Sequence, residues 1–88
     1  MPNKASAAKR QRQNEKRRLR NRMVRSRIRT TVKGIMELVR VGNKEEVEKK
    51  YREFVSLMDR AVSKGVYHKN TAARKKSRVY RYIKTHLE

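Results

Sequence analysis

Apolar residues recur three and four positions apart through the middle of the chain, a spacing typical of one face of a helix. This first stripe consists of Val24, Ile28, Val32, Ile35 and Val39, with Leu38 alongside. It predicts a helix that begins between Ala5 and Lys9 and ends at Val41. Gly42 then supplies a left-handed stop. Gly34 lies inside the stripe and costs about 1 kcal/mol relative to Ala.

A second helix is predicted to start at Asn43. Glu46 follows Asn43 at the spacing of a capping box, and acidic residues suit the positive end of a helix dipole. The apolar stripe of this helix is Val47, Tyr51, Phe54, Met58 and Ala61, with Val55 and Val62 beside it. Lys64 and Gly65 form its C-terminal cap.

A third helix is predicted from about Asn70. Its stripe is Ala73, Tyr80, Ile83 and Leu87, with Val79 at the margin. Because the connections are short, consecutive helices must pack back on one another. The fold predicted is therefore all-α, a three-helix antiparallel bundle with a long, highly basic N-terminal helix. The bundle is predicted to span residues 24–88, and residues 1–23 are predicted to form a basic arm.

Charge is unevenly distributed along this chain, whose formal net charge is +19. The first 33 residues hold 13 Lys or Arg and one acid, Glu15, and no large apolar residue lies between Met1 and Leu19. Residues 34–60 hold six basic and six acidic residues, and residues 61–88 hold eight basic residues and one acidic residue. Cations four apart repel in a free helix, so we expect the arm to be frayed or disordered alone and to order on a polyanion. Nucleic acid is the first hypothesis.

Two segments carry the candidate RNA contacts. In the arm, arginine predominates, which suits two-point contacts with phosphate. The arm cations are Lys9, Arg10, Arg12, Lys16, Arg17, Arg18, Arg20, Arg22, Arg25, Arg27 and Arg29. Polar residues among them, able to bond phosphate or a 2′-hydroxyl, are Asn14, Asn21, Ser26 and Thr30.

The second segment is a loop that leads into a helix N-terminus, where free amides favour anions. Its candidate contacts are Lys64, His68, Arg74, Lys75, Lys76 and Arg78. His68 is either a donor to phosphate or a capping residue. Among the aromatic residues, we assign Tyr51, Phe54 and Tyr80 to packing. Tyr67 and Tyr82 are open between packing and stacking on bases.

Other classes of function find little support. The chain has no cysteine, which excludes disulfides and cysteine-ligated zinc, and no carboxylate cluster joins His68 and His86. No catalytic arrangement is visible, so we expect no enzyme activity, cofactor or metal. A basic-helix DNA-binding protein is the main alternative, but it needs a dimerising zipper, and the stripe meets Gly42 after about two heptads. A membrane-surface helix would need an apolar face before Leu19. No apolar run is long enough to span a bilayer.

The sequence also resembles a known family. The segments that carry the resemblance are Asn3-Lys4-Ala5-Ser6-Ala7-Ala8-Lys9-Arg10, Glu15-Lys16-Arg17, Asn21, Arg25-Ser26, Arg29-Thr30, Lys64-Gly65-Val66-Tyr67-His68-Lys69-Asn70 and Ala72-Ala73-Arg74-Lys75-Lys76-Ser77-Arg78. They resemble the family of protein twenty of the bacterial small ribosomal subunit, over essentially the whole chain. The sequence departs from that family at Ala5 and Ala8, where members often carry Lys.

The resemblance implies a three-helix protein that binds small-subunit ribosomal RNA early in assembly, without catalysis. It implies further RNA contacts at Lys4, Ser6, Lys33, Lys69, Asn70 and Ser77. It also implies a monomer within the cytoplasmic ribosome, or within an organellar one, that touches other small-subunit proteins at most peripherally.

Overall fold

The computed structural model describes residues 4–87, which form three α-helices. Helix α1 spans Lys4–Val41, α2 spans Lys44–Ser63 and α3 spans Lys69–Leu87. Each helix packs against both others, and consecutive helices run antiparallel. The predicted all-α three-helix bundle with a long basic first helix is confirmed. α1 begins at Lys4, just before the predicted window, and α3 begins one residue before Asn70.

The joint between α1 and α2 is a two-residue turn with a cap on each side. Gly42 takes a φ of +84°, and its N–H donates to the carbonyl of Val39 at 3.1 Å. The Asn43 N–H donates to the carbonyl of Leu38 at 3.1 Å, which completes a Schellman motif. The Asn43 side chain in turn accepts the Glu46 N–H at 3.3 Å. The predicted stop and start therefore meet in adjacent residues and force the helical hairpin.

α2 ends in a second Schellman motif. Gly65 has a φ of +75° and donates to the carbonyl of Val62 at 3.0 Å. The Val66 N–H donates to the carbonyl of Ala61 at 2.9 Å. Val66 is itself buried, so this turn also adds a side chain to the core. The motif directs the chain back towards α1 and sets where α3 begins.

The core lies between the three helices and contains ten buried apolar residues. They are Ile28, Ile35, Val39, Val47, Phe54, Leu57, Met58, Ala61, Val66 and Ala72. Most come from the predicted stripes of α1 and α2, whereas Leu57, Val66 and Ala72 were not among the stripe residues. Thr31 is the one buried polar residue among those described, and its hydroxyl donates to the carbonyl of Arg27 at 2.9 Å. The Thr31 hydroxyl is thus satisfied within its own helix.

The predicted stripe of α3 was wrong by one position at its start. Ala72 is buried, whereas Ala73 is exposed. Val79 packs on the core, and Tyr80 is 48% exposed, although its ring lies 5.8 Å from that of Tyr51. The physical reason is that the buried face passes through Lys76, whose charge breaks the apolar spacing. An amphipathic tyrosine can lie at the edge of a core with its hydroxyl in water.

The molecule is elongated because α1 extends past the bundle. Its radius of gyration is 17.4 Å, against about 12 Å for a compact chain of this length. The longest dimension is 61 Å, close to the roughly 57 Å of a 38-residue helix. Every residue from Ala5 to Arg20 is exposed, and Asn21 is the first to be half-buried. α1 has no break at residue 23, so the division into 1–23 and 24–88 stays a prediction.

Candidate nucleic-acid interface

The cations of α1 form the largest candidate surface. Twelve Lys and Arg side chains between positions 9 and 33 are exposed, and none forms an ion pair within residues 4–87. They are Lys9, Arg10, Arg12, Lys16, Arg17, Arg18, Arg20, Arg22, Arg25, Arg27, Arg29 and Lys33. Ser6 and Asn14 are also exposed. The Lys4 side chain lies outside the described residues. The arm therefore presents cations on all of its sides to a partner.

The polar candidates further along α1 have more restricted roles. The Thr30 hydroxyl donates to the carbonyl of Ser26 at 3.0 Å, so it is better placed to accept from a 2′-hydroxyl than to donate to phosphate. Ser26 is exposed. Asn21 is half-buried, and its Oδ1 atom is enclosed without a hydrogen-bond partner among the described residues. Asn21 therefore lies at the junction of arm and bundle, and its contact with RNA stays a prediction.

Arg20 joins the two segments that the sequence singled out. Its guanidinium donates to the backbone carbonyl of Lys64 at 3.3 Å, across 44 positions of sequence. Lys64 is the C-cap residue of α2, where helix carbonyls carry partial negative charge. This contact places the exposed Lys64 beside the base of the arm. Sequence periodicity has no means of revealing such a pair.

His68 caps the start of α3. Its Nδ1 atom accepts the N–H of Asn70 at 3.1 Å, and its carbonyl accepts the N–H of Ala72 at 3.0 Å. Because a backbone N–H is only a donor, Nδ1 has no proton and Nε2 carries it. The ring is exposed, so Nε2–H is available to an outside acceptor. The two readings of His68 are compatible, although the cap uses one amide expected to bind anions.

Five of the predicted RNA-contact cations lie on α3, and four of them are exposed. These four are Lys69, Arg74, Lys75 and Arg78, and the polar candidates Asn70 and Ser77 are exposed as well. Lys76 differs, because it is half-buried and its Nζ atom lies 3.0 Å from a carboxylate oxygen of Asp59. The Tyr51 hydroxyl donates to the Lys76 carbonyl at 3.3 Å. Burial raises the pKa of Tyr51, the Lys76 charge opposes that rise, and Tyr80 adds to it. Lys76 thus holds α3 on α2.

A cleft between α1 and α3 brings cations from both predicted segments together. Arg29 and Lys33 of α1 and Lys75 and Arg78 of α3 line it, and we call it the α1–α3 cleft. Tyr67, which the sequence left open, also lines it, with the Lys75 ammonium 5.5 Å from its ring centroid. Tyr82 instead stacks on His86 with ring centroids 4.1 Å apart, outside this cleft.

The outer surface of α2 has a different charge pattern. Lys49 lies 3.7 Å from Glu46, and Lys50 lies 3.6 Å from Glu53. Cations here have carboxylates within one turn, so the net field of this surface is weak. The surface that favours a polyanion consists of α1 and the start of α3.

Two other features are absent from residues 4–87. No group of three or more His, Cys, Asp or Glu side chains there is arranged to hold a metal ion. None of the helices in that part of the chain is sufficiently long and apolar to cross a membrane.

Comparison with known proteins gives a consistent result. Residues 2–84 match the family model described as "Ribosomal protein S20". Relatives described as "Small ribosomal subunit protein bS20" include one from Acidithiobacillus ferrooxidans, 50% identical over 84 residues that cover 96% of this chain and 92% of the relative. The relative from Kosmotoga olearia is 45% identical, covering 100% of this chain and 91% of its own. The relative from Thermomicrobium roseum is 48% identical, over 90% of this chain and 80% of the relative.

Proposed function

Since the chain belongs to the ribosomal protein S20 family, we propose that it binds small-subunit ribosomal RNA directly and holds RNA helices together during assembly of the small ribosomal subunit. It is a structural constituent of the small subunit and not an enzyme. Its place of action is accordingly the ribosome in the bacterial cytoplasm. It works there as a monomer whose main partner is RNA, with at most peripheral contacts to other small-subunit proteins.

The observation that carries this proposal is the set of twelve exposed cations between positions 9 and 33 of α1, none of which forms an ion pair within residues 4–87. Each phosphate that such a cation neutralises releases condensed counterions, which favours binding. Arginine adds two-point hydrogen bonding to phosphate oxygens. Cations also point to several sides of the arm, so RNA segments on different sides can be neutralised at once. The arm therefore suits a role in joining RNA helices better than a role on a single duplex.

The bundle supports this role by fixing the direction of the arm. α1 continues from the arm into the core, where Ile28, Ile35 and Val39 are buried. The Arg20 contact with the Lys64 carbonyl ties the base of the arm to the α2–α3 loop. An arm with a defined direction binds RNA with a smaller entropy cost than a free tail.

The DNA-binding alternative needs a free zipper after the basic segment. In this chain the corresponding stripe packs against α2 and α3 of the same molecule. That arrangement favours a monomer and argues against a basic-region dimer.

The test is a titration of the full chain with small-subunit ribosomal RNA and with unrelated RNA of equal length, across a range of salt concentrations. If about ten phosphates are engaged, log affinity falls against log salt with a slope near −7 to −9. A preference for the ribosomal RNA that persists at high salt is the expected result. A slope shallower than about −3, or equal binding to both RNAs, would contradict the proposal.

A further inference from the structure

The α1–α3 cleft has an apolar floor beneath a cationic rim. Ile28, Val32 and Val79 line its base, below the four cations of its rim. Its volume is about 330 Å³. The arm from Ala5 to Arg20 is exposed throughout, and its one large apolar residue, Leu19, is 60% exposed and lines a cleft that also contains Glu53. The α1–α3 cleft therefore offers a ligand both buried apolar surface and cations.

The charge lining this cleft also sets it apart from the other principal clefts among residues 4–87. Each of those four contains a carboxylate: Glu53, Asp59, Glu48 or Glu37. The α1–α3 cleft contains none, and its charged residues are all cations. Its occupant should consequently be anionic at the rim.

Tyr67 connects the rim with the floor. It is half-buried, its ring lines the cleft, and the Lys75 ammonium lies 5.5 Å from the ring centroid. A ligand with a flat apolar part and an adjoining anion would contact ring and cation together. A nucleotide has this form, and stacking of bases on aromatic rings is a general means of holding unpaired nucleotides.

We propose that the α1–α3 cleft receives a single unpaired nucleotide of the bound RNA. Its base lies against Tyr67, Val32 and Val79, and the phosphates on either side contact Arg29, Lys33, Lys75 and Arg78. This inference rests on the proposed function, and it adds a preference for RNA with an extruded base to the phosphate binding of the arm. A paired base remains in its stack and does not reach the floor.

The test compares two short RNA duplexes with equal numbers of phosphates, one of which contains a single bulged nucleotide. The full chain should bind the bulged duplex at least about fivefold more tightly, the lower end of stacking contributions. Tyr67→Leu should abolish this preference without changing the salt slope, since no phosphate contact is lost. Tyr82→Leu is the matched control, because Tyr82 is also half-buried but lies outside the cleft, and should keep the preference.

The outcomes separate this inference from the proposed function. Equal affinity for the two duplexes, with a steep salt slope, would overturn the cleft proposal and leave RNA binding intact. Failure to bind either duplex would overturn both.

A second measurement does not depend on how Tyr67→Leu folds. In the wild-type complex, protons of the bulged base should show NMR contacts with the methyl groups of Ile28, Val32 and Val79. Absence of those contacts, with spectral changes confined to the arm, would also overturn the inference.

Discussion

The two halves of α1 form one continuous helix, but different forces stabilise them. From Asn21 to Val41 the helix places Ile28, Ile35 and Val39 in the core, where burial of apolar surface stabilises it. From Ala5 to Arg20 every side chain is exposed, and backbone hydrogen bonds must hold the helix against repulsion between cations. The bundle half is stabilised by its own contacts, whereas we expect the stability of the arm half to depend on counterions.

This difference indicates that the two halves of α1 have separate roles, packing in the bundle and charge in the arm. A helix segment with cations on all of its sides has no face left to bury apolar side chains, so it needs a folded neighbour to direct it. Packing in the bundle and charge in the arm should therefore respond separately to mutation. A core mutation that weakened the arm, or an arm mutation that weakened the core, would show that the two halves of α1 are not independent.

Phe54→Ala should have the largest effect on folding. Phe54 is fully buried among residues of all three helices, so its truncation should lower the free energy of unfolding by about 3–5 kcal/mol. Urea unfolding followed by circular dichroism measures this change. Val55→Ala, at a half-buried neighbouring position, should cost clearly less. The arm cations remain in Phe54→Ala, so steep salt dependence of RNA binding should persist while preference for ribosomal RNA falls. A loss below about 1 kcal/mol would show that the bundle does not depend on this core.

Neutralising three arm cations should have the largest effect on RNA binding that leaves folding intact. In Arg10→Gln, Arg17→Gln, Arg18→Gln the salt slope should become shallower by about 2 to 3. Affinity at 0.1 M salt should fall on the order of a hundredfold. The matched control changes the same net charge on the outer surface of α2, through Lys49→Gln, Arg52→Gln, Arg60→Gln. Equal losses in the two triple variants would mean that net charge, and not the arm, determines affinity.

The elements of the fold that depend on local pattern could be predicted from the sequence. The stripes of α1 and α2 and the Asn43 cap are local periodicities and spacings, and the structure confirms them. The start of the α3 stripe was wrong because Lys76 lies on the buried side, held by Asp59. A charged residue can be assigned to a buried face only when its partner on another helix is known.

The candidate site was predictable as a composition but not as a geometry. An excess of cations in two segments was enough to propose a polyanion as partner. The junction of those segments through Arg20 and Lys64 depends on how α1 lies against the α2–α3 loop. The position of Tyr67 between Lys75 and the core likewise depends on the packing of α3 on α1. Such relations arise from the fold as a whole.

Gly34→Ala should stabilise the bundle half of α1 and leave the stability of the arm half unchanged. A Cβ atom added there would lie 3.5 Å from Cε of the flexible Lys50 side chain, which is ordinary contact. We expect the free energy of unfolding to rise by about 0.5–1 kcal/mol. Hydrogen exchange should slow for amides after residue 24 and stay unchanged from residue 5 to 18. Gly42→Ala is the opposite control, because its φ of +84° strains any side chain. Slower exchange in the arm would show that the two halves are coupled.

Removing the ion pair between Glu37 and Arg40 should have the smallest effect on stability, because both side chains are exposed. The hydrogen bond and charge of Arg40 lower the pKa of Glu37 in the folded chain. A lowered folded-state pKa means that the pair stabilises the chain above the ordinary carboxyl pKa of 4.5 and loses this contribution as pH falls through the folded value. Glu37→Gln should therefore lower the melting temperature slightly at pH 7 and have no effect at acidic pH.

The control for that measurement is Glu48→Gln, which removes the same charge from an exposed position that has no ion pair within residues 4–87. Removing any carboxylate from so basic a chain raises general repulsion, and this term is common to both variants. The difference between them isolates the pair at the end of α1. A difference that persisted below the folded pKa of Glu37 would mean that the carboxylate charge is not its cause. The Glu37–Arg40 ion pair would then contribute nothing to stability, and the bundle half of α1 would be stabilised by packing alone.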